Sequence, residues 1–331
     1  MTDRGHDASP PVPAVLPVGP PGDDPEGWLR ESARRLVALD GRTGGEQVAD
    51  LAARTVALAR DHLVRHRVAR GSVARSRRAA DTVRGIRCAA AELAQVAGWI
   101  HVDAERHAEA TRLNRTALRL ARAAGDRDTE LLTLLVTTLH ETQLGRATHT
   151  RTLVDATLRR GHLTPRVEAM FRVRSARAYA ATGQAGAARA EFDRARGLLL
   201  DGGAAADPAW AWWIDEAEIA GHEGAAYLDL GDVAAAAAPL DRATRLDADG
   251  APQYRMVVGA QLLVARLALR DWVDAGRVAD RLLGSTTTGS ARTGRVLRHA
   301  ARLAVAGAPS SLGDRVVALA RRYPVHVVER S

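Results

Sequence analysis

Between Ala217 and Leu246 six residues stand in a fixed order of small and large side chains: Gly224, Tyr227, Gly231, Ala236, Leu240 and Ala243. Counted from the start of that segment they occupy places eight, eleven, fifteen, twenty, twenty-four and twenty-seven. The segment opening near Glu168 repeats the order with Ala176, Tyr179, Gly183, Ala188, Phe192 and Ala195. Weaker copies follow the same spacing at Gly98, His101, Glu105, Ala110, Asn114 and Ala117, and at Thr138, Glu141, Gly145, Thr150, Val154 and Thr157. A fifth keeps the small and apolar places: Leu263, Arg266, Arg270, Ala275, Ala279 and Leu282. Self-similarity at this period calls for a helical hairpin used repeatedly, since one such unit cannot bury its apolar face alone. Small residues at places eight, twenty and twenty-seven let helices approach closely, and a larger residue at eleven and twenty-four fills the gap between units.

The rest of the chain agrees with helices. No stretch alternates with period two for long enough to make a strand, and Leu, Ala and Val recur at helical spacing from Trp28 onward. Hydrophobic residues make up 46% and charged residues 26% of 331, which fits a folded, water-soluble interior. Aromatic residues supply only 4%, so the core is built of small side chains at short helix separations. The spacing predicts a helix after each break, among them 72–85, 89–103 and 209–230. The Pro-rich residues 1–27 read as a disordered tail, 28–89 as Arg-rich helices capping the array, 90–285 as the repeats and 286–331 as C-terminal capping helices. The expected fold is all-α, a right-handed α-solenoid of irregular helical hairpins.

This pattern resembles the tetratricopeptide repeat family over about residues 90 to 285, with longer loops than that family uses and without its proline near the end of each repeat. A narrower resemblance lies in AELAQVAGWIHVDAERHAEATRLNRTALRLARAAGD (Ala91 to Asp126) and PAWAWWIDEAEIAGHEGAAYLDLGD (Pro208 to Asp232). Both look like the C-terminal sensor region of actinobacterial Xre/Cro-type helix-turn-helix transcriptional regulators. The DNA-binding head that precedes such a sensor has no counterpart before the repeats, so the resemblance implies a stand-alone regulatory or sensor array.

The 47 basic residues against 39 acidic ones give +8, and all 47 are Arg. An all-Arg, Ala-rich chain is what mutation pressure in a GC-rich genome produces, which weakens any argument from charge alone. Cys88 is the single cysteine, so no internal disulfide and no multi-cysteine zinc module can form. Together with an acidic, proline-broken N-terminus and the absence of a long uncharged apolar run, this predicts a cytoplasmic protein with no membrane span.

Four constellations could carry function. Arg65, Arg67, Arg70, Arg75, Arg77, Arg78, Arg84 and Arg87 gather eight positive charges, with Asp81 the one acid among them. They read as a solvated face, a dock for an acidic protein segment or a phosphate-contacting patch. Trp210, Trp212 and Trp213, ahead of Asp215, Glu216 and Glu218, read as a structural plug after the long loop or as binding anchors. In arrays of this kind the first helix of each unit lines a groove, here with Glu92, Gln95, Trp99, Asp103, Leu139, Thr142, Gln143, Arg177, Glu218 and Asp229. With Arg177 the one basic group, that set suits a mixed protein segment better than a clamp for a terminal carboxylate. His62 and His66 are four apart and read as surface histidines without a third metal ligand, and Cys88 as a small buried hydrophobe.

No catalytic motif is legible, and no cofactor or metal site is expected. The leading expectation is a regulatory adaptor that holds a protein or peptide segment in its groove, alone or as a homodimer. The alternatives are a receptor for a small signalling peptide or metabolite, and a nucleic-acid binder acting through Arg65 to Arg87.

Overall fold

The computed structural model describes residues 23–69, 77–200, 206–246, 252–285 and 290–323, without the side chains of 65–69, 77–79 and 252–254. Among the described residues the chain is all-α, with no strand. The helices are α1 (Pro25–Thr43), α2 (Gly45–Ala69), α3 (Arg77–Asp103), α4 (His107–Ala124), α5 (Arg127–Gln143), α6 (Ala147–Arg160) and α7 (Pro165–Ala180). There follow α8 (Ala185–Leu200), a 3₁₀ turn (Ala209–Trp213), α9 (Glu216–Asp229), α10 (Val233–Leu246), α11 (Pro252–Ala268), α12 (Trp272–Gly284), α13 (Ala291–Gly307) and α14 (Ser310–Arg321).

Three boundaries differ from the sequence expectation, each for a local reason. The first helix begins inside the supposed tail, because the Asp24 side chain accepts from the Gly27 amide at 2.9 Å and Pro25 takes the first turn, where a missing N–H costs nothing. The helices expected at 72–85 and 89–103 are one continuous α3, so the 89/90 division falls inside it. Gly85 does not break that helix, which runs through it with its side facing the Glu26 carboxylate of α1. The single helix expected at 209–230 is two elements, because extended Asp215 stops the 3₁₀ turn and caps α9 by accepting from the Glu218 amide.

The hairpin turns keep one geometry in all five copies of the pattern. At place fifteen Glu105, Gly145, Gly183, Gly231 and Arg270 all have positive φ, from 56° to 76°. One residue later an amide always returns to the carbonyl of place eleven: Arg106 to His101, Arg146 to Glu141, Gln184 to Tyr179, Asp232 to Tyr227 and Asp271 to Arg266, at 2.8–3.0 Å. This is the 6→1 bond of a helix ended by a left-handed residue, which satisfies carbonyls the helix would leave orphaned. Glu105 and Arg270 adopt the left-handed turn without being glycine, at a cost of about 1–2 kcal/mol each. Place eight meets places twenty and twenty-four as the pattern requires: a Cβ on Gly224 would overlap Leu240 and come within 3.1 Å of the Ala236 carbonyl.

Each hairpin packs internally, α3 on α4, α5 on α6, α7 on α8, α9 on α10, α11 on α12 and α13 on α14. The first helix of every pair also touches the first helix of the next, giving the succession α3, α5, α7, α9, α11, α13. α1 and α2 both pack on α3. Burial follows this order in three large apolar clusters centred on α1–α4, α5–α9 and α9–α14, and a small one of Val102, Ala110 and Val136 where α3, α4 and α5 meet.

Candidate functional site

The succession of first helices carries most of the groove residues read from sequence, and it engages many of them internally. On α3, Glu92 pairs with Arg30 of α1 at 3.2 Å, and burial lifts its carboxyl above the ordinary value against the pull of that guanidinium. Gln95 is buried, and Trp99 is half-buried. Leu139 on α5 is buried and Gln143 half-buried, whereas the Thr142 hydroxyl turns to its own hairpin partner, 2.9 Å from that of Thr150 on α6.

Three of the expected residues meet across α7 and α9. Arg177 pairs with Asp229 at 2.8 Å and donates at 3.5 Å to the carbonyl of His222. The ring of His222 lies 3.0 Å from Glu218 and 2.8 Å from Arg174, and Arg174 donates onward to the Leu135 carbonyl of α5. Burial, with Arg174 beside it, holds the His222 imidazole down to about 4 although Glu218 opposes the shift. At pH 7 that ring is neutral. The network therefore joins α5, α7 and α9 through polar groups that run from buried Arg174 to exposed Asp229.

The remaining pair ties the ends together. Asp103, at the last residue of α3, is 2% exposed and lies 3.2 Å from Arg292 in the first turn of α13. The Arg292 guanidinium also stands over the Trp99 ring, 5.5 Å from its centre, and Arg295 pairs with Glu105 at 2.6 Å. Burial raises the Asp103 carboxyl, with Arg292 and Ser290 acting the other way. Asp103 Oδ2 and Arg292 Nε have no hydrogen-bond partner among the described residues, so the contact is one-pronged where a guanidinium and a carboxylate could make two bonds.

The aromatic cluster is divided. Trp210 and Trp213 lie 6.4 Å apart, pack on the central apolar cluster, and the Trp210 indole donates to the Asp128 carbonyl at 3.1 Å. Trp212 points away and is 73% exposed. Of the basic stretch, Arg75 lies outside the described residues, Arg77 and Arg78 open α3 without described side chains, Arg84 is exposed and Arg87 half-buried. His62 is buried rather than superficial, because its place on α2 faces inward; the side chain of His66 lies outside the described set. Cys88 is half-buried, and burial with nearby Asp126 pushes its thiol up.

Sequence reasoning missed Arg174 and Arg292, whose partners sit on other hairpins, and His222, which meets Glu218 four residues away on α9 but Arg174 on α7. It also passed over His140, buried on α5 and stacked on His107 with ring nitrogens 3.1 Å apart. Among the described residues no three His, Cys, Asp or Glu side chains converge as a metal ion would require, and no helix is long and apolar enough to cross a membrane. No protein-family model, curated protein or solved structure matches the chain.

Proposed function

We propose that the helical pairs form a right-handed solenoid of tetratricopeptide type, and that the chain is a non-enzymatic regulatory adaptor of the cytoplasm. Its first helices hold a protein or peptide segment. The observation that carries this reading is the unbroken succession α3, α5, α7, α9, α11, α13, in which each first helix touches the next. Five identical turns support the repeat assignment. Half-buried Trp99 and Gln143 offer contact groups for a partner, and they stand on successive members of that row. The test is to purify the tagged chain from its native host after nuclease treatment and identify what is retained by mass spectrometry, beside a Trp99→Ala/Gln143→Ala variant. A stoichiometric protein lost from the variant supports the adaptor. Equal retention by both proteins sinks the groove assignment.

A second reading, a receptor for a small signalling peptide or metabolite, draws on the one-pronged Asp103–Arg292 contact. A ligand that strengthens or releases that contact would change how the row of helices curves. It predicts a ligand-dependent rise in melting temperature with no protein partner present.

A further inference from the structure

A second charged surface lies on α4, which is the later helix of its hairpin and so is not part of the row discussed above. Arg112, Arg115, Arg119 and Arg122 are spaced by three, four and three residues, and all four are exposed. At about 100° per residue this places them within one sector of roughly 80°, along about 15 Å of helix. They line an open cleft of about 490 Å³ with Ala108 and Leu118 contributing to its floor.

The charges on this stripe are only partly neutralised within the protein. Arg112 is paired with Glu109 at 2.7 Å, and Arg119 bonds the Thr116 hydroxyl at 3.3 Å. Neither Arg115 nor Arg119 has a carboxylate partner among the described residues. At the far end Arg122 shares one carboxylate, Glu130, with Arg127 and Arg160, at 2.8, 2.9 and 3.1 Å. Glu130 is 5% exposed, and although burial works against it, Arg122 and Arg127 keep its carboxyl below the ordinary range. One buried anion thus fixes three guanidiniums in place and leaves two positive charges in excess. Arg122 and Arg160 stay exposed while paired, so each keeps guanidinium donors beyond the one bound to Glu130.

We propose that this face of α4 is a docking surface for an acidic amphipathic helix of a partner protein. The stripe is straight, as a helix lying alongside another requires. An acidic helix repeats carboxylates at three- and four-residue spacing and matches Arg112 to Arg122 over about three turns. Its apolar edge would rest on Ala108, Leu118 and the arginine stems, which bury hydrocarbon while keeping their charges at the rim. A nucleic-acid strand suits the cleft less well, because no aromatic ring lines it for base stacking.

The probe is a fluorescein-labelled synthetic helix of about fourteen residues carrying Glu at helical spacing on one edge and Leu on the other. Binding to the full chain is followed by fluorescence anisotropy at low salt, with a single-stranded oligonucleotide of equal charge as comparison. The wild type should bind the peptide, and Arg115→Glu/Arg119→Glu should weaken it about tenfold or more. Those side chains hold no internal ion pair, so the variant should keep its circular dichroism and melting temperature. A Trp99→Ala/Gln143→Ala variant should bind the peptide like wild type, which separates this surface from the groove. Absence of peptide binding, an unchanged affinity in the double arginine variant, or tighter binding of the oligonucleotide with the same sensitivity would each overturn the proposal.

Discussion

Asp103 at the end of α3 and Arg292 at the start of α13 meet at 3.2 Å, so the first and last hairpins of the row are joined by a carboxylate that has almost no access to water. Removing one partner of such a pair leaves an uncompensated buried charge, which typically costs about 3–5 kcal/mol. Arg292→Ala should therefore lower stability by roughly that amount, and adding Asp103→Asn should restore most of it, since the amide needs no counter-ion. Urea denaturation measures both. If the single variant is as stable as wild type, the tie carries no energy.

The buried histidines set the response to acid. His140 and His222 are each held to about 4, against an ordinary 6.5. Unfolding therefore takes up a proton at each between those values. The stability they lend is complete above pH 6.5 and drains as the pH falls towards 4, by about 3 kcal/mol for each ring. His107, Glu141 and Arg146 act on the first ring, and Arg174, Glu218 and Arg177 on the second. Burial lowers His101 as well, so the same trend has a third contributor. Denaturation midpoints at pH 7.5, 6 and 5 should fall in order, and His140→Gln should reduce the slope without abolishing it. A flat profile would show that both rings are already solvated.

Two kinds of glycine should respond differently to alanine. Gly224→Ala inserts a methyl against Leu240 and the Ala236 carbonyl, an overpacking of about 1–3 kcal/mol. Gly231→Ala meets nothing within 4 Å, and its cost of about 1–2 kcal/mol comes from φ +75° alone. The reverse change, Arg270→Gly at φ 57°, should raise the melting temperature by about 1–3 °C. A drop on that substitution would mean that the exposed arginine makes a contact worth more than the strain it causes.

Trp210 and Trp212 separate packing from binding. Trp210→Ala removes a ring packed on the central cluster together with its bond to Asp128, and should cost about 2–4 kcal/mol. Trp212→Ala should change stability by less than about 0.5 kcal/mol because the ring is 73% exposed. Thermal melts of the two variants decide between them, and equal losses would contradict this division of the cluster.

The hairpins were legible because their determinants are local. Place eight must be small where two helices cross, and place fifteen must turn left-handed, so residues a few positions apart record the geometry. The same six-place pattern located the turn at Glu105 and Arg270, where no glycine marks it. The α4 stripe was equally available, since arginines spaced by three and four on one helix share a face wherever that helix lies. It stands out less than the run from Arg65 to Arg87 because its arginines are fewer and have Glu109 and Asp126 close by along the chain.

What the sequence by itself determined is the order of helices, their turns and the residues that let each pair close. Tertiary structure alone decided which polar groups would be consumed. Arg177 finds Asp229, Glu92 finds Arg30 and Asp103 finds Arg292 only after successive hairpins have stacked and α1 has docked on α3. A charge carries no mark of its partner along the chain. Burial makes an unpaired one expensive, so packing pairs the buried charges, whereas a charge without a partner, such as Arg115, is tolerated where it stays exposed.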